Sequence, residues 1–316
     1  MADSSLRTFL PVEHYNLDVT LNSGQAFRWQ RHNRGWESVV DGRWIKLEGD
    51  QQGILALKAE SGPDWRWLGE YLQSHLILAR VIDTFPDDPP MRQAVKSCQG
   101  LRLLRQDPWE CLASFILSST KQIVQIQQII RLLCGKFGRP VVVPPGHEPA
   151  FAFPTPERIA ACSESDLRAC KMGFRAPYLL GTAQRLVRGE VDLSALGAMN
   201  VEEARTELLK FPGVGRKIAD CVLLFAYGFQ EAFPVDVWVT KAVHQLYFPR
   251  KRRVTSRLLR EFSARHFGPN AGYAQQYLFH YMRTKQAARL PESIVPRKST
   301  RAQNSNLERE SVIRKS

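Results

Sequence analysis

The sequence predicts an α+β protein in which an N-terminal antiparallel β module, residues 10–90, packs on a larger, mainly helical region, residues 91–286. Two observations carry the expectation. Between about Asn16 and Glu60 short runs are separated by turn residues, whereas from Trp65 to about Gln286 the apolar residues recur at helical spacing. A third sets the boundary: the closing stretch 287–316, which includes LPESIVPRKSTRAQNSNLERESVIRKS, is polar and lacks a sustained apolar face, the pattern of a flexible, mildly basic tail. A ligand site is expected in the cleft between the two folded regions.

In chain order, YNLDVTLNSG, QAFRWQRH, GWESVVDGRWIKLEGD and GILALKAE read as short strands, with Asp41-Gly42 as a tight hairpin turn. Asp107-Pro108 combines an N-cap with the proline favoured at a first helical position. Asn200 and Glu203 have the spacing of a capping box, and the helix they open, VEEARTELLKF, stops at Pro212-Gly213. A second helix restarts at about Arg216.

The chain has 316 residues, 44% of them hydrophobic, enough for a sizeable core. Lys and Arg number 44 against 31 Asp and Glu, a formal charge of +13, which suits a polyanionic partner but by itself names none. The six cysteines (Cys98, Cys111, Cys134, Cys162, Cys170 and Cys221) include no Cys-x-x-Cys pair and read as reduced thiols. No apolar run approaches the ~18 residues that cross a bilayer, and the start lacks the build of a signal peptide. An intracellular monomer with no membrane partner is expected.

The segment LLKFPGVGRK places Gly213 and Gly215 in a short turn between two helices. Glycines let the backbone approach another molecule, and amides at the following helix start favour an anion such as a DNA phosphate. From the glycines alone, an ordinary helix–turn–helix corner fits equally well. The wider run FPGVGRKIADCVLLFAYGFQEAFPVDVWV resembles the helix-hairpin-helix, Gly-Pro-Asp superfamily of DNA glycosylases, and within it the 8-oxoguanine DNA glycosylase/lyase branch. SGQAFRW, LLRQDPWECLASFILSS, MGFRAPY and NAGYAQQYLF resemble segments of that branch in the same order, so the likeness covers roughly Leu10 to Gln286.

That resemblance implies a TATA-binding-protein-like sheet module, duplex DNA containing 8-oxoguanine as the partner, and a reaction that requires no cofactor or catalytic metal. It assigns Lys217 as the nucleophile that attacks C1′ of the damaged nucleotide and Asp236 as the carboxylate that stabilises charge developing there. A protonated lysine is no nucleophile, and the helix start and Arg216 set positive charge beside it. Asp236 also stands where an N-cap belongs, before VWVTKAVHQLYF. A stacked base cannot present its glycosidic bond, so the nucleotide must be flipped into a pocket. The resemblance gives that pocket the Gly24 carbonyl, which would accept from the N7–H that oxidation creates, with Phe279 and Cys221 on the two base faces and Gln275 on its Watson–Crick edge.

Gly213, Gly215, Arg216, Arg175, Phe174, Thr120, Gln125 and Trp238 are the residues expected to face DNA. Several depart from the branch pattern. Ser119-Thr120-Lys121-Gln122 replaces an asparagine-rich run, Gln125 replaces an arginine, Phe174 a tyrosine and Trp238 a histidine. The lost donors point to weaker discrimination for an opposite cytosine. Competing readings are a non-catalytic hairpin DNA-binding protein, which would need neither Lys217 nor Asp236, and a glycosylase for a different damaged base. An iron–sulfur glycosylase is disfavoured because no cysteine follows Cys221.

Overall fold

The computed structural model describes residues 6–61 and 64–287. Five antiparallel strands, β1 (Arg7–Pro11), β2 (Gln30–His32), β3 (Gly35–Val40), β4 (Arg43–Gly49) and β5 (Gly53–Lys58), lie in the order β1-β5-β4-β3-β2. Asp41 and Gly42 both take positive φ, 48° and 70°, the conformation that a two-residue hairpin turn demands. Trp36, Ile45, Leu47, Ile54 and Ala56 put one sheet face into a small core, completed by Leu17, Leu21, Trp29, Leu68 and Leu72.

Two expectations for this module are corrected. YNLDVTLNSG is not a strand but holds a short helix, α1 (Leu17–Leu21), opened by Asn16, whose side chain accepts from the Val19 amide at 3.0 Å. Its alternating Tyr15, Leu17, Val19 and Leu21 imitate a strand, yet the residues it buries are Leu17, Thr20 and Leu21, the i, i+3, i+4 stripe of a helix. QAFRWQRH is a strand only over its last three residues, and the fifth strand comes from Arg7–Pro11 instead.

Helices dominate from Arg66 onward. The site is built from α2 (Pro108–Leu117), α3 (Ile123–Phe137), α4 (Ala176–Val187), α5 (Val201–Leu209), α6 (Arg216–Val222), α7 (Val237–Tyr247) and α8 (Ala271–Ala287). Asp107 caps α2 through the Glu110 amide with Pro108 at the first position, and Asn200 and Glu203 form the capping box of α5, both as expected. Inter-residue contacts divide the chain into two units after Met282, and every residue of the site lies in the first. The tail expected over 287–316 lies, from residue 288 on, outside the described residues.

One segment joins the sheet core to the helical core. Leu101–Gln106 belongs to no helix or sheet, so its polar backbone needs other partners. The Arg102 amide donates to Thr20 Oγ1 (3.1 Å), the Leu103 amide to the Tyr273 hydroxyl (3.0 Å), the Leu104 amide to Gln25 Oε1 (2.8 Å), the Arg105 amide to the Tyr71 carbonyl and the Gln106 amide to the Phe225 carbonyl (both 2.8 Å). The Leu101 carbonyl accepts from the Tyr277 hydroxyl (3.0 Å) and the Arg102 carbonyl from Gln25 Nε2 (2.8 Å). Gln25, fully buried, is the hinge pin of this arrangement.

Gln25→Leu leaves the Leu104 amide and the Arg102 carbonyl buried without their partner. Each such group costs about 1–3 kcal/mol, so the variant should lose about 2–5 kcal/mol of stability in urea unfolding. A change below about 1 kcal/mol would show that the seam is not the anchor described.

Candidate active site and DNA-facing surface

Lys217 lies in the first turn of α6, directly after the two-glycine hairpin. Its side chain is half-buried and donates to Ser118 Oγ at 3.4 Å, from the residue that ends α2. Nζ also lies 5.2 Å from the centre of the Phe115 ring, and that ring meets Phe27 edge-on at 5.5 Å and stacks on Phe225 at 5.6 Å. Lysine, aromatic floor and the chain just after Gly24 are therefore linked through Phe115.

Asp236 caps α7, Oδ1 accepting from the Val239 amide at 2.7 Å. Burial holds its carboxyl above the usual carboxylate range, against the opposing pull of that amide and of the Lys217 charge. Capping and electrostatic coupling to the lysine thus coexist in one side chain. Cys221, one turn after Lys217, senses the charges of both Lys217 and Asp236, but burial pushes its thiol up to about 12. It is a neutral apolar wall at physiological pH. All six cysteines are free.

Gly24 sits in a tightly held loop. Its φ of 80° suits glycine, Ser23 Oγ and Gln25 Nε2 donate to the Thr20 carbonyl at 2.7 and 3.1 Å, and the Ser23 carbonyl accepts from Gln276 Nε2 at 2.9 Å. Gln276 neighbours Gln275 on α8, so the loop and that helix are bonded one residue from each expected pocket group. Gln275 is 3% exposed, and its Oε1 has no hydrogen-bond partner among the described residues. An unpaired buried carboxamide oxygen is costly unless a ligand completes it. Phe279, one turn on, is half-buried against the helical core.

A second cluster borders the lysine. Arg175, buried, donates to Thr120 Oγ1 and to the Met172 carbonyl (3.3 Å), with its guanidinium 4.2 Å from the Phe174 ring centre. Phe174 is 53% exposed and meets Tyr178 edge-on at 6.3 Å. A Cβ added at Gly213 would come within 2.6 Å of the Tyr178 ring, which ties this aromatic pair to the hairpin. Two expected DNA-facing groups, both exposed, also have partners within the chain: Gln125 Oε1 accepts from the Gln122 amide (3.1 Å) in the capping box of α3, and Arg216 pairs with Glu202 (3.6 Å) and Asp220 (3.8 Å). Trp238 lies in the first turn of α7, with Lys241 Nζ 6.0 Å over its ring.

Sequence reasoning did not single out Ser118, Phe115, Tyr178, Gln25 or Gln276. All five stand inside motifs already noted, but nothing local marks a glutamine or serine whose role depends on a segment more than 70 residues away.

Comparison with known proteins places the chain in a family. Residues 7–112 match the model of the 8-oxoguanine DNA glycosylase N-terminal domain and residues 113–265 that of the HhH-GPD superfamily of base excision DNA repair proteins. The fold is thus that of a helix-hairpin-helix glycosylase. The chain belongs to the 8-oxoguanine DNA glycosylase family. It is 29% identical over 302 residues to a probable N-glycosylase/DNA lyase of Methanothermobacter thermautotrophicus, covering 87% of this chain and 95% of the relative. It is 33% identical over 261 residues to the N-glycosylase/DNA lyase of Saccharomyces cerevisiae, 72% and 67% of the two chains. The Clostridium acetobutylicum 8-oxoguanine glycosylase/lyase, solved with double-stranded DNA containing cytosine opposite the lesion, superposes with a TM-score of 0.82 at 30% identity, covering 89% of this chain and 99% of that one.

The two hairpin glycines make separable predictions. Gly213 has φ 76° and no room for a Cβ, so Gly213→Ala should cost about 1–3 kcal/mol of stability. A Cβ at Gly215 meets nothing within 4 Å. Gly215→Ala should cost under about 1 kcal/mol yet weaken duplex binding if the hairpin takes a phosphate as expected, because the methyl group would stand in its approach. Thermal unfolding and fluorescence anisotropy with labelled duplex check both; undiminished binding by Gly215→Ala would contradict the hairpin's role.

Proposed function

We propose that this protein is a bifunctional DNA N-glycosylase and apurinic/apyrimidinic-site lyase that excises 8-oxoguanine from duplex DNA in base excision repair and then nicks the strand. The observation that carries the reading is the placement of Lys217: half-buried at a helix start behind a two-glycine hairpin, touching Ser118 and electrostatically coupled to Asp236.

In the proposed mechanism the flipped nucleotide enters between the Gly24 loop and α8. The Gly24 carbonyl accepts from N7–H of the oxidised base, Gln275 completes its unpaired Oε1 on the Watson–Crick edge, and Phe279 and Cys221 cover the two faces. Lys217, as the free amine, attacks C1′ and the base departs with the glycosidic electron pair. Asp236 stabilises positive charge at C1′ as that bond breaks. The secondary amine then opens the sugar to a Schiff base, which acidifies the C2′ hydrogen; loss of that proton expels the 3′ phosphate by β-elimination. Phe174 and Tyr178 form the exposed wedge beside the vacated stack, with Arg175 and Thr120 behind it.

Borohydride added during turnover should reduce the Schiff base and trap the protein on a duplex carrying one 8-oxoguanine, and Lys217→Gln should abolish the adduct. Tight binding without trapping would remove the lyase assignment. On the acid side, Asp236 must be ionised to act, and its folded-state value lies above its ordinary one near 3.8. Single-turnover excision should therefore fall with a midpoint above 3.8, and Asp236→Asn should be slow at every pH. Stability moves the other way: the contribution of Asp236 is greatest below about 3.8 and is lost as pH rises through the raised value.

The opposite base should be read loosely. The Thr120 hydroxyl is occupied by Arg175 and the Gln125 amide oxygen by its helix cap, leaving fewer groups to address an estranged cytosine. Excision rates on duplexes with each opposite base should differ by less than about tenfold, one hydrogen bond's worth; a preference for cytosine far beyond that would refute the point.

A further inference from the structure

A cavity of about 350 Å³ lies between the β2–β3 hairpin, α3 and the Pro144–Glu148 loop, lined in part by Trp44 and Arg131. Within it, His32, Glu37 and His147 bring one ligand atom each to within 4.8 Å of one another. His147 Nδ1 lies 3.1 Å from Glu37 Oε2 and His32 Nδ1 lies 3.0 Å from Glu37 Oε1. The second contact lacks hydrogen-bond alignment: Oε1 is buried and has no hydrogen-bond partner among the described residues. Glu37 thus hydrogen-bonds His147 through Oε2 and leaves Oε1, beside the His32 ring nitrogen, without a proton donor.

We propose that this cluster is a zinc-class divalent cation site, held by His32, Glu37 and His147, that staples the Pro144–Glu148 loop to the sheet. Imidazole and carboxylate are suitable donors for such an ion, at about 2.0–2.2 Å each, and ligands placed tetrahedrally at that length stand about 3.4 Å apart. The two histidine–carboxylate separations, one to each Glu37 oxygen, are 0.3–0.4 Å short of this, and all three ligand atoms lie within 4.8 Å of one another, so small side-chain adjustments would close the shell on an ion. The Trp44 ring packs edge-on against His147 at 4.8 Å and limits rotation of that imidazole. Three protein ligands leave the fourth position to water from the cavity. His32 and Glu37 stand on the two paired strands of one hairpin, while His147 comes from more than 100 residues away, so the ion closes a long loop. None of the three belongs to the lysine site, so the inference is independent of the glycosylase reading.

Full-length protein, purified without a metal-chelate column and dialysed against EDTA, should take up one zinc per chain in calorimetric titration, with a rise in unfolding temperature. Cobalt in its place should give a tetrahedral spectrum without thiolate charge-transfer bands. His147→Ala and Glu37→Gln should each weaken binding by more than about tenfold. Absence of stoichiometric zinc would overturn the proposal, leaving a hydrogen-bonded histidine–glutamate cluster. So would zinc binding unchanged in both variants, or a thiolate signature from the cysteines.

Discussion

The structure depends on how one segment outside any helix or sheet satisfies its backbone. Leu101–Gln106 runs between the sheet core and the helical core with no strand beside it, and every amide from Arg102 to Gln106 finds a partner in the surrounding chain. Those partners come from α1, the Gly24 loop, the helix ending at Leu72, the π-helical segment Leu223–Tyr227 that continues α6, and α8. A segment buried this way is stable only if all of them are in place at once. Positions distant in sequence are thereby locked together: the Gly24 loop through Gln25 and α8 through Tyr273 and Tyr277. Burial pushes the Tyr273 phenol up to about 12, so its hydroxyl remains neutral in the network.

Placement of the reactive lysine follows from that lock. Phe115, on the helix that begins just after the seam, contacts Phe27 on one side and Lys217 on the other. The same helix ends at Ser118, which holds the lysine, and is followed by Thr120, which meets Arg175. One rigid helix therefore relates the loop proposed to read the lesion, the amine proposed to attack it and the aromatic wedge proposed to replace it. Around the hairpin, acidic residues absorb part of the positive charge: Arg205 and Asp220 form a buried pair at 2.6 Å and Arg216 joins its rim. The fine positioning of α5 against α6 rests on that pair, whose disruption would strand a buried charge.

What was legible in the sequence was what local chemistry encodes. Helix caps at Asp107, Asn200 and Asp236, the Asp41-Gly42 turn and the hairpin glycines all appear where their residue types place them. Alternation misled at Tyr15–Leu21, because a five-residue helix with an asparagine cap presents the same apolar spacing as a strand over so short a span. The partners of the seam were not legible. Gln25 and Gln276 are ordinary glutamines until a segment distant in sequence supplies acceptors for them. Nor were the acids beside Arg216 and the cap made by Gln125 legible, because they come from the fold or from a cap without an apolar signature.

On the function proposed, a held carbonyl at Gly24 distinguishes the oxidised base by a single donor. The most direct test uses the Lys217→Gln variant, in which the proposed chemistry is blocked, and compares its affinity for duplexes carrying 8-oxoguanine with duplexes carrying 8-oxo-7-deazaguanine, where N7–H is replaced by a CH2 group that cannot donate. Loss of one buried hydrogen bond, about 1–3 kcal/mol, predicts binding weaker by roughly five- to 150-fold. Equal affinity for the two duplexes would mean that the lesion is recognised elsewhere on the base, and the role given to the Gly24 loop would be wrong.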